Sequence, residues 1–126
     1  MENKDHKILI VEDYSTLRTL LAKKLSKEGF KVEQAPDGET ALEIIPKFVP
    51  EIILLDIMMP GINGYEVLKS VRHNKNSEIA AIPVIMLSNL GDDDDINKAM
   101  VLGADDYLIK SNITVDDVIE KMKILL

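Results

Sequence analysis

The sequence has no cysteine, which excludes disulfides and thiolate metal sites and fits a reducing cytosol. It has no tryptophan and only 4% aromatic residues, too few for base-stacking platforms. Excess positive charge is also missing. The formal net charge is -7, so direct nucleic-acid binding by this domain is not expected, because phosphate contacts need clustered Lys and Arg. No apolar run approaches the roughly 20 residues of a membrane span. The opening MENKDHKILIVED holds one short apolar run interrupted by acids, so neither a signal peptide nor a membrane anchor is expected, and the chain reads as cytoplasmic.

What is present is alternation. Lys7-Ile8-Leu9-Ile10-Val11 reads as a buried strand. Leu17, Leu20, Leu21 and Leu25 then recur at helical spacing, and Gly29 can stop that helix. Phe30 to Ala35 reads as a strand, followed by turn chemistry at Pro36-Asp37-Gly38. Ala41, Leu42, Ile45 and Phe48 form a second helical stripe, which Pro46 should end or bend. Glu51 to Leu55 is a third strand, apolar on both faces. Gly64 to Arg72 is a third helix with Val67, Leu68 and Val71 inward, and His73 to Ala81 reads as a polar loop. Pro83 to Leu87 is a fourth strand, and a helix opens at Gly91 to Asp95 and runs through Leu102 to Gly103. Asp106 to Ile109 is a short fifth strand. Thr114 starts a last helix with Val115, Val118, Ile119 and Met122 on one face.

Five strands alternating with five helices predict an α/β fold, a doubly wound parallel sheet covered on both faces. In such sheets the working crevice lies at the carboxyl ends of the strands. Four of the five exits carry polar groups: Glu12 and Asp13 after the first strand, Asp56 after the third, Ser88 after the fourth and Lys110 after the fifth. Each alone has an ordinary explanation. Asp13 could cap a helix, Asp56 could begin an Asx turn, Ser88 could be turn chemistry, and Lys110 could snorkel to water. Together they do not rest easily. Three converging carboxylates raise one another's pKa unless a cation neutralises them. Mg²⁺ prefers a few carboxylates plus water and phosphate oxygens. Three acids, a metal, a lysine and a hydroxyl suit phosphoryl transfer, which depends on positioning and charge neutralisation.

The segments VED (Val11 to Asp13), DIMMPGINGYE (Asp56 to Glu66), MLS (Met86 to Ser88) and GADDYLIK (Gly103 to Lys110), in this order, make the chain resemble a response-regulator receiver domain of two-component signalling, of the chemotaxis-regulator kind. The resemblance covers essentially the whole chain, read as one domain over residues 1–126. It implies a flavodoxin-like sheet in the order 2-1-3-4-5. It also implies that Asp56 is a nucleophile that takes a phosphoryl group from a phosphohistidine, becoming an acyl phosphate. By the same resemblance Glu12, Asp13, Asp56 and the main-chain carbonyl of Met58 hold Mg²⁺. Lys110 pairs with Asp56 and then with phosphoryl oxygens, and Ser88 moves to hydrogen-bond the phosphoryl group. Tyr107 swings inward when Ser88 moves.

The implied partners are a sensor histidine kinase or phosphotransfer protein, docking near the first helix (Tyr14 to Glu28). Downstream they are a protein or a second copy, using the surface of the fourth helix, fifth strand and fifth helix. No separate enzyme substrate is expected. Two positions depart from the family pattern. Lysine there is usually followed by a cis-proline, but here by Ser111. A cis bond before a non-proline costs about 3–4 kcal/mol, so either that strain is retained or the bond is trans and other contacts place Lys110. Asn89 stands where a small residue is common, and either narrows the site or points to solvent.

Three other readings have sequence tests. A Mg²⁺-dependent aspartyl-phosphate phosphatase would need a second acid two residues after the nucleophile, where Met58 stands. A flavin module would need a phosphate-cradling loop after the first strand, where VEDYSTL places two acids. A phosphorylation-independent scaffold has only Asn89 and Ser111 in its favour. Elsewhere, Asp92 to Asp95 complements a helix N-terminus. His6 and His73 receive no ligand role, and Met58, Met59 and Met86 read as fillers of core and loop space.

Overall fold

The computed structural model describes residues 6–126. The expectation about a signal peptide falls in part on residues 1–5, which lie outside the described residues. Five strands form one parallel sheet: β1 (Lys7–Val11), β2 (Lys31–Ala35), β3 (Ile52–Leu55), β4 (Val84–Ser88) and β5 (Asp106–Ile109). Their order is β2-β1-β3-β4-β5, the order that the resemblance implied. The central strands β1, β3 and β4 are apolar on both faces because helices cover both. Their alternating side chains divide the core. Ile8, Ile10, Ile52, Leu54, Ile85 and Leu87 face one layer, while Leu9, Val11, Ile53, Leu55, Val84 and Met86 face the other.

The first layer is closed by α1 (Ser15–Lys27) and α6 (Val115–Leu125). Leu21 and Leu25 of α1 meet Val118, Ile119 and Met122 of α6 there. Leu20, expected in the same stripe, is instead 53% exposed. At 100° per residue it falls on the flank that Leu17, Leu21 and Leu25 leave outside. The second layer is closed by α2 (Gly38–Phe48), α3 (Gly64–Arg72) and α5 (Asp93–Val101). Pro46 neither ends nor interrupts α2, which runs two residues further to Phe48. Its ring is exposed, and only two helical residues follow it.

Two further expectations need correction. The segment read as a polar loop contains a one-turn helix, α4 (Ser77–Ala80), capped by the Asn76 side chain and anchored by buried Ile79. The described residues therefore form six helices, and the fourth and fifth helices of the sequence reading are α5 and α6. Strand β4 also runs one residue further than expected, so Ser88 closes the strand rather than following it.

At the end of the sheet away from the strand exits, Arg72 ties three segments together. Its guanidinium donates to the carbonyls of Gly103, Ala80 and Ile82 and to the Asp105 carboxylate. Asp105 also accepts from the first amide of β4, Val84. Among the described residues no helix is long and apolar enough to cross a membrane.

Candidate functional site

The carboxyl ends of β1, β3, β4 and β5 open into one cleft of about 520 Å³. Glu12, Asp13, Asp56, Met58, Ser88 and Lys110 all line it, as do Asn89 and Ser111. Tyr107 does not line it. Its ring packs against the core layer under α5, and its hydroxyl donates to the Leu90 carbonyl.

Parallel pairing sets these positions. The amide of Asp56 donates to Val11 O at 2.9 Å, and that of Glu12 to Ala35 O at 3.1 Å, so both acids sit on the last rungs of the ladder. Asp56 is 4% exposed and Glu12 only 1%. Asp56 Oδ1 accepts from the Ile57 amide at 2.8 Å, and Oδ2 accepts from Lys110 Nζ at 3.0 Å. Lys110 Nζ also lies 2.5 Å from Glu12 Oε1. That oxygen is buried and makes no well-aligned hydrogen bond, so its contact with the lysine is an ion pair only. Glu12 Oε2 accepts from the Tyr14 amide.

The helix after these acids is not capped by Asp13. Its N-cap is Tyr14, whose side chain makes no capping bond, which leaves the exposed Asp13 carboxylate available to the cleft. One carboxylate oxygen each from Glu12, Asp13 and Asp56 lies within 4.8 Å of the others. Three hard oxygen donors converging on one cleft, one of them the buried Glu12 carboxylate, fit a divalent cation such as Mg²⁺. The electrostatics agree. Burial first, then the neighbouring Asp56, pushes Glu12 up to about 7, against the pull of Lys110. Burial alone would lower the Lys110 ammonium, but Glu12 and Asp56 outweigh it and hold the group above its ordinary value.

The Lys110–Ser111 bond is trans, as is every peptide bond among the described residues. Lys110 opens a single 3₁₀ turn, Lys110–Asn112, and its ammonium is placed by the two carboxylates. Ser88 is buried, and its hydroxyl oxygen accepts from the Leu90 amide at 3.1 Å. Met59 and Met86 are buried as expected, but the Met58 side chain is 64% exposed. It stands at the cleft rim and fills no core. The Asp93 to Asp95 carboxylates occupy the first turn of α5. His6 pairs with Glu51, and the His73 ring nitrogen meets Lys69 O, both outside the cleft lining.

Sequence reasoning missed two residues. Arg18 donates to the Glu12 carbonyl at 2.8 Å. Its place one turn into α1 was a usable signal, since helical side chains lean toward the N-terminus. Leu90 offers its amide to Ser88 and its carbonyl to Tyr107, and an apolar residue using only its backbone leaves no signal in sequence.

A strand-end acid paired with a lysine, beside two further acids, is the arrangement expected of a signalling receiver. The family described as response regulator receiver domain matches residues 8–123, and the chain belongs to that family. It is thus a receiver of two-component signalling, a class that works between histidine kinases and downstream effectors. The "Probable transcriptional regulator ycf27" of Guillardia theta is 43% identical over 110 residues, covering 87% of this chain and 41% of that protein. The transcriptional regulatory protein AfsQ1 of Streptomyces coelicolor is 36% identical over 103 residues, covering 82% and 44%. The chain thus spans about two fifths of the length of these curated relatives.

Among solved structures, the chemotaxis protein CheY4 of Vibrio cholerae superposes with a TM-score of 0.89 at 27% identity, covering 97% of this chain and 99% of that one. The BeF3-activated N-terminal receiver domain of Klebsiella pneumoniae RstA gives 0.82 at 29% identity, covering 94% and 96%.

Proposed function

We propose that residues 1–126 form a single cytoplasmic receiver domain that accepts a phosphoryl group on Asp56 from a phosphohistidine and changes its α5-β5-α6 face in response. The observation that carries this reading is the pairing of buried Asp56 with Lys110 beside two more carboxylates. An Asp56 oxygen forms the new O–P bond as the donor's N–P bond breaks, and the departing imidazole keeps the electron pair. Lys110 holds Asp56 in line and then takes the incoming phosphoryl oxygens. Glu12, Asp13, Asp56 and the Met58 carbonyl would hold Mg²⁺, which when bound neutralises charge on the transferring group. No separate substrate is needed. The chain's own cleft performs transfer and then hydrolysis, in which water attacks the phosphorus, the Asp56 O–P bond breaks and the carboxylate leaves with the electron pair, releasing inorganic phosphate.

Leu90 links the cleft to the switch. In the resting arrangement it is tied to both Ser88 and Tyr107. Ser88 turning to donate its O–H to a phosphoryl oxygen carries its Oγ away from the Leu90 amide. That loosens the loop to which Tyr107 is bonded and opens space for the ring. The exposed side chains Met100 and Val101 on α5 and Ile124 on α6 suit docking by a downstream protein or a second copy. Tyr14 at the N-cap of α1 and Leu20 within it, both exposed, suit docking of the kinase or phosphotransfer partner. The names of the curated relatives favour transcription as the output, with DNA contacted outside the receiver span.

Amide NMR spectra before and after loading with an acyl-phosphate donor and Mg²⁺ test the switch. Shifts are expected in the Asp56 loop, from Ser88 to Leu90, at Tyr107, and along α5 and α6. Shifts confined to the Asp56 loop contradict the switch.

A further inference from the structure

The loop from Ile57 to Asn63 carries Met58, whose carbonyl is one of the proposed metal ligands, so its placement bears on the site. The base of the loop is closed by the Gly64 amide donating to Ile57 O at 2.9 Å. Its far side is held by one side chain from another element. Glu39, in the first turn of α2, accepts from the Ile62 amide at 2.8 Å, 23 residues away in sequence.

Two glycines permit this contact. Gly61 has φ +78, and a Cβ there would lie 2.6 Å from the Glu39 carboxylate oxygens. Gly38, buried beneath, leaves room for the Ile62 side chain, which a Cβ at that position would meet at 2.5 Å. The start of α2 and the loop are therefore fitted to each other at three points, although Glu39 does not line the cleft.

We infer that Glu39 is a positioning residue for the metal-binding loop: its hydrogen bond to the Ile62 amide holds the Met58 carbonyl where a cation bound by Glu12, Asp13 and Asp56 can use it. This rests on the proposed Mg²⁺ site. The latch needs reach and an acceptor oxygen; the negative charge strengthens the bond but does not set where the loop is held. Glutamine keeps both reach and an acceptor oxygen. Aspartate keeps the charge but is one methylene short. Alanine keeps neither.

The test is Mg²⁺ titration of Glu39→Gln, Glu39→Asp, Glu39→Ala and the parent protein, with amide hydrogen exchange at Ile62 measured without metal. Glu39→Gln is expected to bind within about twofold of the parent. Glu39→Asp and Glu39→Ala are expected to bind about fivefold more weakly, the effect of one net hydrogen bond, with faster exchange at Ile62. If Glu39→Gln weakens as much as Glu39→Ala while Glu39→Asp does not, charge rather than position acts, and the proposal falls. It also falls if exchange at Ile62 rises in Glu39→Ala while Mg²⁺ affinity stays unchanged, or if Ile62 exchange is the same in all four proteins. Absence of Mg²⁺ binding by the parent protein would instead overturn the metal site itself, and the latch with it.

Discussion

Gly64→Ala is expected to lower stability by about 3 kcal/mol, the upper range for overpacking, and the melting temperature by roughly 12 °C. A Cβ at this position would lie 2.2 Å from the Asp56 carbonyl oxygen and 2.8 Å from Ile57 Cα. Both are backbone atoms at the end of β3, so no side chain can move aside. Relief requires α3 to draw back from the strand, which breaks the Gly64 amide bond to Ile57 O. The capping box between Asn63 and Glu66 starts α3 at this point and resists that movement. Because the strained atoms belong to Asp56 and its neighbour, phosphoryl acceptance should fall along with stability. Gly91→Ala is the control. Its Cβ would meet nothing nearer than 3.6 Å, and it should change stability by no more than about 0.5 kcal/mol. Thermal melts of the two variants decide the matter, and equal melting temperatures would contradict the close approach of α3 to β3.

Glu12→Gln should separate stability from metal binding. In the folded protein burial and Asp56 raise Glu12 from 4.5 to about 7. A raised carboxyl makes its stabilising contribution below the unfolded value and loses it as pH rises through the folded value. Above about pH 7 the native protein without metal must therefore keep a buried charge that the unfolded chain holds in water. Glutamine has nearly the same shape and no charge. Its variant should be more stable by about 2 kcal/mol at pH 8, a gain that fades as pH falls toward 4.5. The loss of an ion-pair partner for Lys110 offsets part of the full effect. Mg²⁺ should reverse the order, since the variant loses a carboxylate ligand and at least about tenfold in affinity. Saturating Mg²⁺ then stabilises the parent protein by mass action and the variant much less. Melts of both proteins at pH 5 and pH 8, with and without Mg²⁺, provide the four comparisons needed. A variant less stable than the parent at pH 8 without metal would contradict the electrostatic reading of the cleft.

Much of this was legible in sequence, for physical reasons. The strands β1, β3 and β4 stood out because a parallel sheet covered on both faces leaves nearly unbroken apolar runs. The functional groups stood out because alternation of strand and helix assigns them all to the carboxyl ends. What periodicity could not reach was the single turn of α4, where Ile79 is the only buried side chain. Nor could it tell that Leu20 and Met58 face solvent, since an apolar residue beside a buried stripe looks the same either way. Distances were beyond it as well. Lys110 serves Glu12 as well as Asp56, and the backbone of Leu90 links Ser88 to Tyr107. Both depend on where the chain folds back, not on residue type alone. The missing proline after Lys110 left two alternatives open, and the trans bond with two carboxylates holding the ammonium decides between them.

The most direct test is intact-protein mass spectrometry after incubation with a small acyl-phosphate donor, with and without Mg²⁺, beside Asp56→Asn. One phosphoryl adduct that requires Mg²⁺ and is absent from the variant is the predicted result. An adduct that persists in Asp56→Asn, or a parent protein that binds Mg²⁺ yet accepts no phosphoryl group from any donor including a phosphohistidine, would contradict it.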